Sequence, residues 1–420
     1  VWLAQKMAKK GGGKGGGGGG GGLDPSLLGG MMANIWENPM VSNIAFHPTR
    51  IEPEYMDATE GPIRDGVFDV AGGDKVSYRL YLPPGEASTV VYFWHGNAEV
   101  CTNVDYYKDF FLSNGTAVLS LDYRGFSWGS GQPSLTKLCG DAEACFSASL
   151  PLLEKAGCGA AKKVAMGRSI GATCAVHIAS KRASKFQGLI IDNGLMSIKG
   201  LPMVASMGPM IVGGPEQFAA LQEPFDTLSK LAAISCPLLV MYSKGDEIIP
   251  FSQGQQCYEK CASSDKSVRE WATGGHNEVC VLHMDEWSKA IIELLEKAKS
   301  FTEPFPAGAL VEAHSLSTES MNGLQGRVLG PKGERYCVDF GAAGGEKALK
   351  PANLKVIAEE SSDAPDSFPP GAEVEAHSLS NADFNGLRGK VLGPKGDRVN
   401  VEFPEPHGAK ALKPANLKLV

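Results

Sequence analysis

The chain has 420 residues, 43% of them hydrophobic, with a formal net charge of −7 and a pI near 5.7. The length exceeds one ordinary domain and predicts two or three, with enough apolar content for a sizeable buried core. Mild acidity argues against a general nucleic-acid binder, which carries a basic surface.

Residues 1–30 are dominated by glycine with a few lysines. Such a segment buries too little surface to offset its ordering entropy, so disorder is expected there. The chain starts at Val1 and no apolar run precedes the glycines, so no signal peptide is expected. Residues 31–65, with Pro39, Pro48 and Pro53, read as an extended lead-in lying on the next domain.

Residues 66–300 alternate between strand and helix patterns. Val76–Leu82, Val90–His95 and Ala117–Asp122 read as strands, rich in Val, Tyr and Phe. Asp141–Lys155 has apolar residues at helical spacing. Lys163–Gly167 reads as a short strand and Ile170–Arg182 as a helix. Strands Gly188–Asp192 and Pro237–Tyr242, helix Ser252–Cys261, strand Ser267–Trp271 and helix Met284–Ala298 follow. This alternation predicts an α/β fold with a mostly parallel sheet and helices on both faces.

Residues 305–357 and 368–420 align without a gap at an offset of 63, with 34 identities in 53 positions, which marks a duplication. The linker between them, 358–367, is acidic and polar and predicted to be flexible. Each copy is too short for a βαβ unit and sets Gly turns between Val- and Phe-rich strands. Both are therefore expected to be small all-β, five-stranded barrel-like repeats, similar to SH3-like domains. Two copies at fixed spacing suggest binding modules, with a protein partner through 305–420 and nucleic acid disfavoured.

None of the ten cysteines forms a C-x-x-C pair, so no structural zinc site is expected. Several fall in apolar runs, as in Ser235-Cys236-Pro237-Leu238, and suggest a reduced intracellular protein. No apolar stretch approaches the length of a membrane span. The expected location is cytoplasmic, with peripheral membrane contact as the alternative.

Gly167-Arg168-Ser169-Ile170-Gly171 is a G-x-S-x-G element between a predicted strand and a predicted helix, the context of a nucleophile elbow. A serine hydroxyl needs a base, and the base needs an orienting carboxylate. In chain order, Asp246 follows the strand Pro237–Tyr242, and His276 lies in a Gly-Gly-His-Asn loop after Trp271. Asp192 is the rival acid. The amides of Ile170 and of Asn97, after His95-Gly96, are the expected oxyanion donors. No metal or organic cofactor is required.

Phe93-Trp94-His95-Gly96-Asn97-Ala98, Asp122-Tyr123-Arg124-Gly125-Phe126-Ser127-Trp128-Gly129, G-R-S-I-G, Gly245-Asp246-Glu247 and Gly274-Gly275-His276-Asn277-Glu278 form a series. It resembles one branch of the α/β-hydrolase superfamily, the serine-aminopeptidase-like domains and the membrane-associated depalmitoylases. The resemblance covers about residues 66–298 and implies the triad Ser169, Asp246 and His276. It also implies a cap between Asn193 and Ser235, where Met196, Met203, Met207 and Met210 could line an acyl pocket or simply pack. Trp128 stands where the pattern often has a small residue and could narrow the pocket. The expected activity is hydrolysis of a carboxylic ester or thioester, on a small acyl ester or an acylated protein. A serine aminopeptidase and an adaptor are the alternatives.

Overall fold

The computed structural model describes residues 35–37, 39–56, 58, 60–306, 308–332, 335–357, 368, 370–377, 379, 382–395, 398–404 and 406–420. The Gly-rich segment 1–30 and the linker 358–367 lie outside the described residues. The chain divides into two compact units. One holds 1–307 with 329–337 and 348–351, the other 308–328, 338–347 and 352–420.

Among the described residues, a 3-10 turn (Ile35–Glu37) and a short helix, α1 (Pro39–Ala45), stand within the expected extended lead-in. Phe46 then drops into the core and packs edge-on against Phe126, at a centroid distance of 6.4 Å. Eight strands follow: β1 (Ile63–Asp69), β2 (Lys75–Tyr81), β3 (Thr89–Trp94), β4 (Thr116–Leu121), β5 (Lys162–Arg168), β6 (Gly188–Asp192), β7 (Leu238–Ser243) and β8 (Lys266–Trp271). They form one sheet in the order β1-β2-β4-β3-β5-β6-β7-β8. Strands β3 to β8 are mutually parallel, and β2 runs antiparallel to both β1 and β4. That order, with one reversed strand, is the α/β-hydrolase fold.

Strands β3, β4 and β7 are buried at every residue, because both faces of the sheet are covered. Along β3 the side chains alternate between two cores. Val90, Tyr92 and Trp94 join one with Phe146 of α3 (Leu138–Lys155) and Val176 of α4 (Gly171–Lys181). Val91 and Phe93 join the other with Phe111 of α2 (Lys108–Ser113) and Leu294 of α7 (Met284–Ser300). Helix α7 buries Trp287, Ala290, Ile291, Leu294, Leu295 and Ala298, a stripe at helical spacing. Acids in its first turn and lysines in its last suit the helix dipole.

Strand β1 precedes the first strand expected from the sequence. Its sequence, Ile-Arg-Asp-Gly-Val-Phe-Asp, lacks apolar alternation because two of its positions are used differently. The buried Asp65 carboxylate receives Arg79 of β2 in a two-pronged bond of 2.6 and 2.8 Å. Gly66 lies under the Tyr78 ring, where a Cβ would come within 2.4 Å of the Tyr78 oxygen. Trp128 donates from Nε1 to the Gly66 carbonyl at 2.8 Å and lies 5.9 Å from the Arg79 guanidinium. It braces this antiparallel edge.

Between β6 and β7 the chain forms α5 (Pro202–Val212) and α6 (Pro215–Ala220). Met196 belongs to the core, whereas Met203 and Met210 are exposed, Met210 at 85%. Among the described residues no helix is long and apolar enough to cross a membrane. Seven of the ten cysteines are buried and all ten are free thiols, acting as small core hydrophobes.

The C-terminal residues hold two five-stranded sheets. In one, β9 (Leu310–Ala313), β10 (Gln325–Lys332), β11 (Arg335–Asp339), β12 (Glu346–Leu349) and β13 (Leu354–Val356) run in the order β12-β11-β10-β9-β13. In the other, β14 (Glu373–Ala376), β15 (Arg388–Lys395), β16 (Arg398–Phe403), β17 (Gly408–Leu412) and β18 (Leu417–Leu419) repeat that order as β17-β16-β15-β14-β18. Gly326 and Gly389 play one part in both copies. A Cβ at either would come within 2.8 Å of a Phe ring, that of Phe340 or Phe403.

Two glycines of the first unit should respond oppositely to alanine. A Cβ on Gly171 would lie 2.1 Å from the Trp94 carbonyl oxygen, while one on Gly140, exposed in α3, would meet nothing within 4 Å. Gly171→Ala is expected to lower stability by about 1–3 kcal/mol through overpacking. Gly140→Ala is expected to raise it by roughly 0.5–1 kcal/mol through helix propensity. Thermal denaturation followed by circular dichroism checks both signs.

Candidate active site

Ser169 sits in the turn from β5 to α4 with φ at 55°, a left-handed conformation that a serine adopts only when its surroundings force it. The flanking glycines show what forces it. A Cβ on Gly167 would lie 2.5 Å from the Ala172 Cα, and Gly171 presses on the carbonyls of Trp94 and His95. The helix therefore starts directly against the end of β3, and the turn has room for one residue pointing out. The Ser169 amide donates to the Asp192 carbonyl at 3.0 Å, which ties the turn to the end of β6.

His276 reaches the turn from a sequence distance of 107 residues. Its Nε2 is 2.9 Å from Ser169 Oγ, and its Nδ1 is 2.7 Å from Asp246 Oδ2. Because the carboxylate can only accept, Nδ1 carries the proton toward Asp246 and leaves Nε2 free to accept from the serine hydroxyl. Asp246 Oδ1 accepts the amides of Ile248 and Ile249 at 2.9 and 2.8 Å. Both carboxylate oxygens are thus occupied, which fixes the group's rotation. The His276 amide donates to Glu247 Oε2 at 3.0 Å and holds its loop from the side. Ser169, His276 and the Asp246 side chain are all nearly buried.

Asp192, the rival acid, does not reach the histidine ring. Its Oδ2 accepts Trp287 Nε1 at 3.1 Å and faces Arg168 Nε at 3.8 Å. Burial pushes its carboxyl above the usual range, with Arg168 and the Trp287 bond pulling the other way.

The two expected oxyanion donors lie on the segments bordering Ser169. Gly96 is close enough that a Cβ there would sit 3.5 Å from Ser169 Cβ. The Gly96 carbonyl accepts His95 Nδ1 at 2.7 Å, and since a trans peptide sets C=O and N–H on opposite sides, the Asn97 amide points away from that bond. The other ring nitrogen of His95 meets Asp122 Oδ1 at 2.9 Å, and Asp122 Oδ2 accepts Ser77 Oγ at 2.5 Å. Burial works against the Asp122 charge, but the His95 and Ser77 bonds outweigh it and hold its carboxyl below the usual range. Ile170 stands at the start of α4, where helix amides lack intrahelical acceptors. Among the described residues neither the Asn97 nor the Ile170 amide is committed to an acceptor.

Reasoning from sequence missed Arg168, Glu99, Asp122 and the orienting part of His95. Arg168 occupies the variable position of G-x-S-x-G, where no residue type signals a role. Among the described residues no group of three His, Cys, Asp or Glu side chains is placed to hold a metal ion. A surface hollow of about 610 Å³ lies at the opposite edge of the sheet, lined by Pro62, Pro83, Pro84 and Cys158 among others, and contains no triad residue.

Comparison with known proteins agrees with this architecture. Residues 85–212 match the family model described as serine aminopeptidase, S33. The chain is 28% identical over 253 residues to the α/β-hydrolase domain-containing protein aho-3 of Caenorhabditis elegans, covering 59% of this chain and 68% of that protein. It is 28% identical over 201 residues to the α/β-hydrolase domain-containing protein 17C of Xenopus tropicalis, covering 47% and 58%. Protein bem46 of Schizosaccharomyces pombe is 27% identical over 216 residues, covering 50% and 69%. Among solved structures, an esterase of Pyrococcus furiosus superposes with a TM-score of 0.47 at 17% identity, over 60% of this chain and 96% of that one. The chain therefore carries an α/β-hydrolase fold, and across residues 85–212 it is similar to the serine aminopeptidase S33 family.

Proposed function

We propose that the protein is a serine hydrolase that cleaves carboxylic ester or thioester bonds through an acyl-enzyme intermediate. The observation that carries this reading is the unbroken chain Ser169 Oγ, His276 Nε2, His276 Nδ1, Asp246 Oδ2, built on a serine held at positive φ. Ser169 Oγ attacks the acyl carbonyl while His276 Nε2 takes its proton. Asp246 keeps the ring oriented and stabilises the imidazolium that forms. The carbonyl oxygen becomes an oxyanion facing the Asn97 and Ile170 amides, each such donor typically worth about 2.7–4 kcal/mol in the transition state. His276 then returns the proton to the departing alkoxide or thiolate. Water, deprotonated by the same nitrogen, attacks the acyl-Ser169 ester, releases the acid and restores the serine.

An ester or thioester is placed ahead of a peptide with a free amino terminus because the carboxylates nearest the triad already hold its loops. Recognising an ammonium would need an available carboxylate. Glu247 and Glu278 accept the amides of His276 and Gly275, and Glu99 accepts Gly96 and binds Arg168. Aminopeptidase activity, which the matched family description names, is the second reading.

The C-terminal copies are proposed as SH3-like binding modules for a protein partner. Lys332, Arg335, Lys347, Lys350 and Lys355 are exposed, and so are their counterparts Lys395, Arg398, Lys410, Lys413 and Lys418. A surface repeated in both copies is what a bivalent binding role requires. The proposed setting is cytoplasmic, in keeping with core cysteines that stay reduced, and peripheral membrane contact is the alternative.

Three outcomes are expected. A fluorophosphonate probe labels the purified protein, and Ser169→Ala abolishes the labelling; wild-type labelling in that variant would remove the serine from the mechanism. With p-nitrophenyl acyl esters, Asp246→Asn is expected to lower kcat by about 10⁴-fold, the cost of presenting the wrong histidine tautomer. Across matched substrates, kcat/KM is expected to be higher for acyl esters and thioesters than for aminoacyl amides, and the reverse order would establish the peptidase reading.

A further inference from the structure

Arg168 lies beside the nucleophile in sequence, yet its side chain points inward, 8% exposed, and touches neither Ser169 Oγ nor the His276 ring. Its guanidinium contacts three other segments. Nη1 bonds Glu99 Oε1. Nη2 donates to the His276 carbonyl at 3.0 Å and to Asn277 Oδ1 at 3.2 Å. Nε faces Asp192 Oδ2 at 3.8 Å, on the same residue whose carbonyl holds the Ser169 amide.

The other oxygen of Glu99, Oε2, accepts the Gly96 amide at 2.6 Å. Glu99 therefore links Arg168 to the loop that carries the Asn97 amide. One planar group spans the loop expected to bind the oxyanion and the loop that carries the base. We propose that Arg168, acting through Glu99, is a positioning residue that fixes the oxyanion loop and the histidine loop relative to Ser169. The proposal rests on the serine-hydrolase reading and deepens it.

Three physical points support the assignment. A guanidinium presents a rigid fork of donors, whereas a lysine ammonium is a point charge on a flexible stem. Burial works against the Arg168 charge, but Glu99 and Asp192 outweigh it and keep the group cationic. The Gly96 peptide is also held from its other side, where His95 Nδ1 donates to the Gly96 carbonyl. The amide presented by Asn97 is thus set by two independent anchors, Asp122–His95 and Arg168–Glu99.

The test measures the second-order rate of fluorophosphonate labelling, together with kcat and KM for an acyl ester, in wild type, Arg168→Lys, Glu99→Gln and the double variant. Lysine retains the charge that Glu99 and Asp192 require but cannot span both loops. Arg168→Lys is expected to keep a melting temperature near that of wild type while labelling slows about tenfold or more, below the roughly 10²–10³-fold cost of losing an oxyanion donor outright. The loss should appear in kcat with KM nearly constant, a split that general loosening of the fold would not produce. Glu99→Gln is expected to slow labelling similarly, and the double variant should be slower by less than the product of the two, as for one shared linkage. Arg168→Lys labelling within twofold of wild type would overturn the proposal. Should Arg168→Lys lack a cooperative melting transition, Glu99→Gln decides, and a wild-type labelling rate there overturns it equally. Failure of wild type itself to label would instead remove the serine-hydrolase reading, and the positioning role with it.

Discussion

The approach of α4 to the end of β3 is the constraint on which the site depends. With hydrogen alone at the Gly171 Cα, the helix begins against the carbonyls of Trp94 and His95. That proximity leaves β5 only two residues in which to turn, and Ser169 takes the left-handed conformation. A strained serine costs on the order of 1–3 kcal/mol, offset by the packing of α4, whose residues are buried on nearly every side. The same approach sets the start of α4, and with it the Ile170 amide, beside the loop that carries Asn97. The Ser169 turn and the proposed oxyanion site are two consequences of one contact between a helix and a strand.

Around that contact the fold uses buried arginines as connectors. Arg79 joins Asp65 of β1 to Asp105, and Arg124 joins Asp74 to Asp141 of α3. Arg168 joins Glu99 to the His276 loop. Arg124 and Arg168 link segments that the backbone ladder does not pair, and Arg79 ties Asp105 to its cross-strand pair with Asp65. Such pairs seldom add much net stability, because desolvation cancels much of their attraction, but leaving one partner alone costs about 3–5 kcal/mol. Their contribution is geometric. They determine which loop conformations are compatible with a folded core, and loops after the parallel strands are where this site is assembled.

The parts of the fold legible in the sequence were those with a local signature. Fully buried strands such as Thr89–Trp94 and Leu238–Ser243 announce themselves as apolar runs. The G-x-S-x-G element is readable because its residues are contiguous, although Gly171 answers to the distant carbonyls of Trp94 and His95. Asp246 and His276 were readable because chain order and position after a strand restrict the choice, and the structure brings both to Ser169. Strand β1 was not, since its Asp65 and Gly66 answer to Arg79 and Tyr78 on the neighbouring strand. Arg168 was hidden for the same reason. Its partners are 69 and 108 residues away, and no periodicity encodes a bond through space.

The central claim is that Ser169 carries the acyl group during turnover. The most direct test mixes the protein with a slowly deacylating p-nitrophenyl ester, quenches in acid within the first turnover, and maps the adduct by mass spectrometry of proteolytic peptides. The mechanism predicts one acyl group per chain, on Ser169, appearing at the rate of the p-nitrophenol burst. Steady release of product with no acyl group on Ser169, or with the adduct on another side chain, would contradict it.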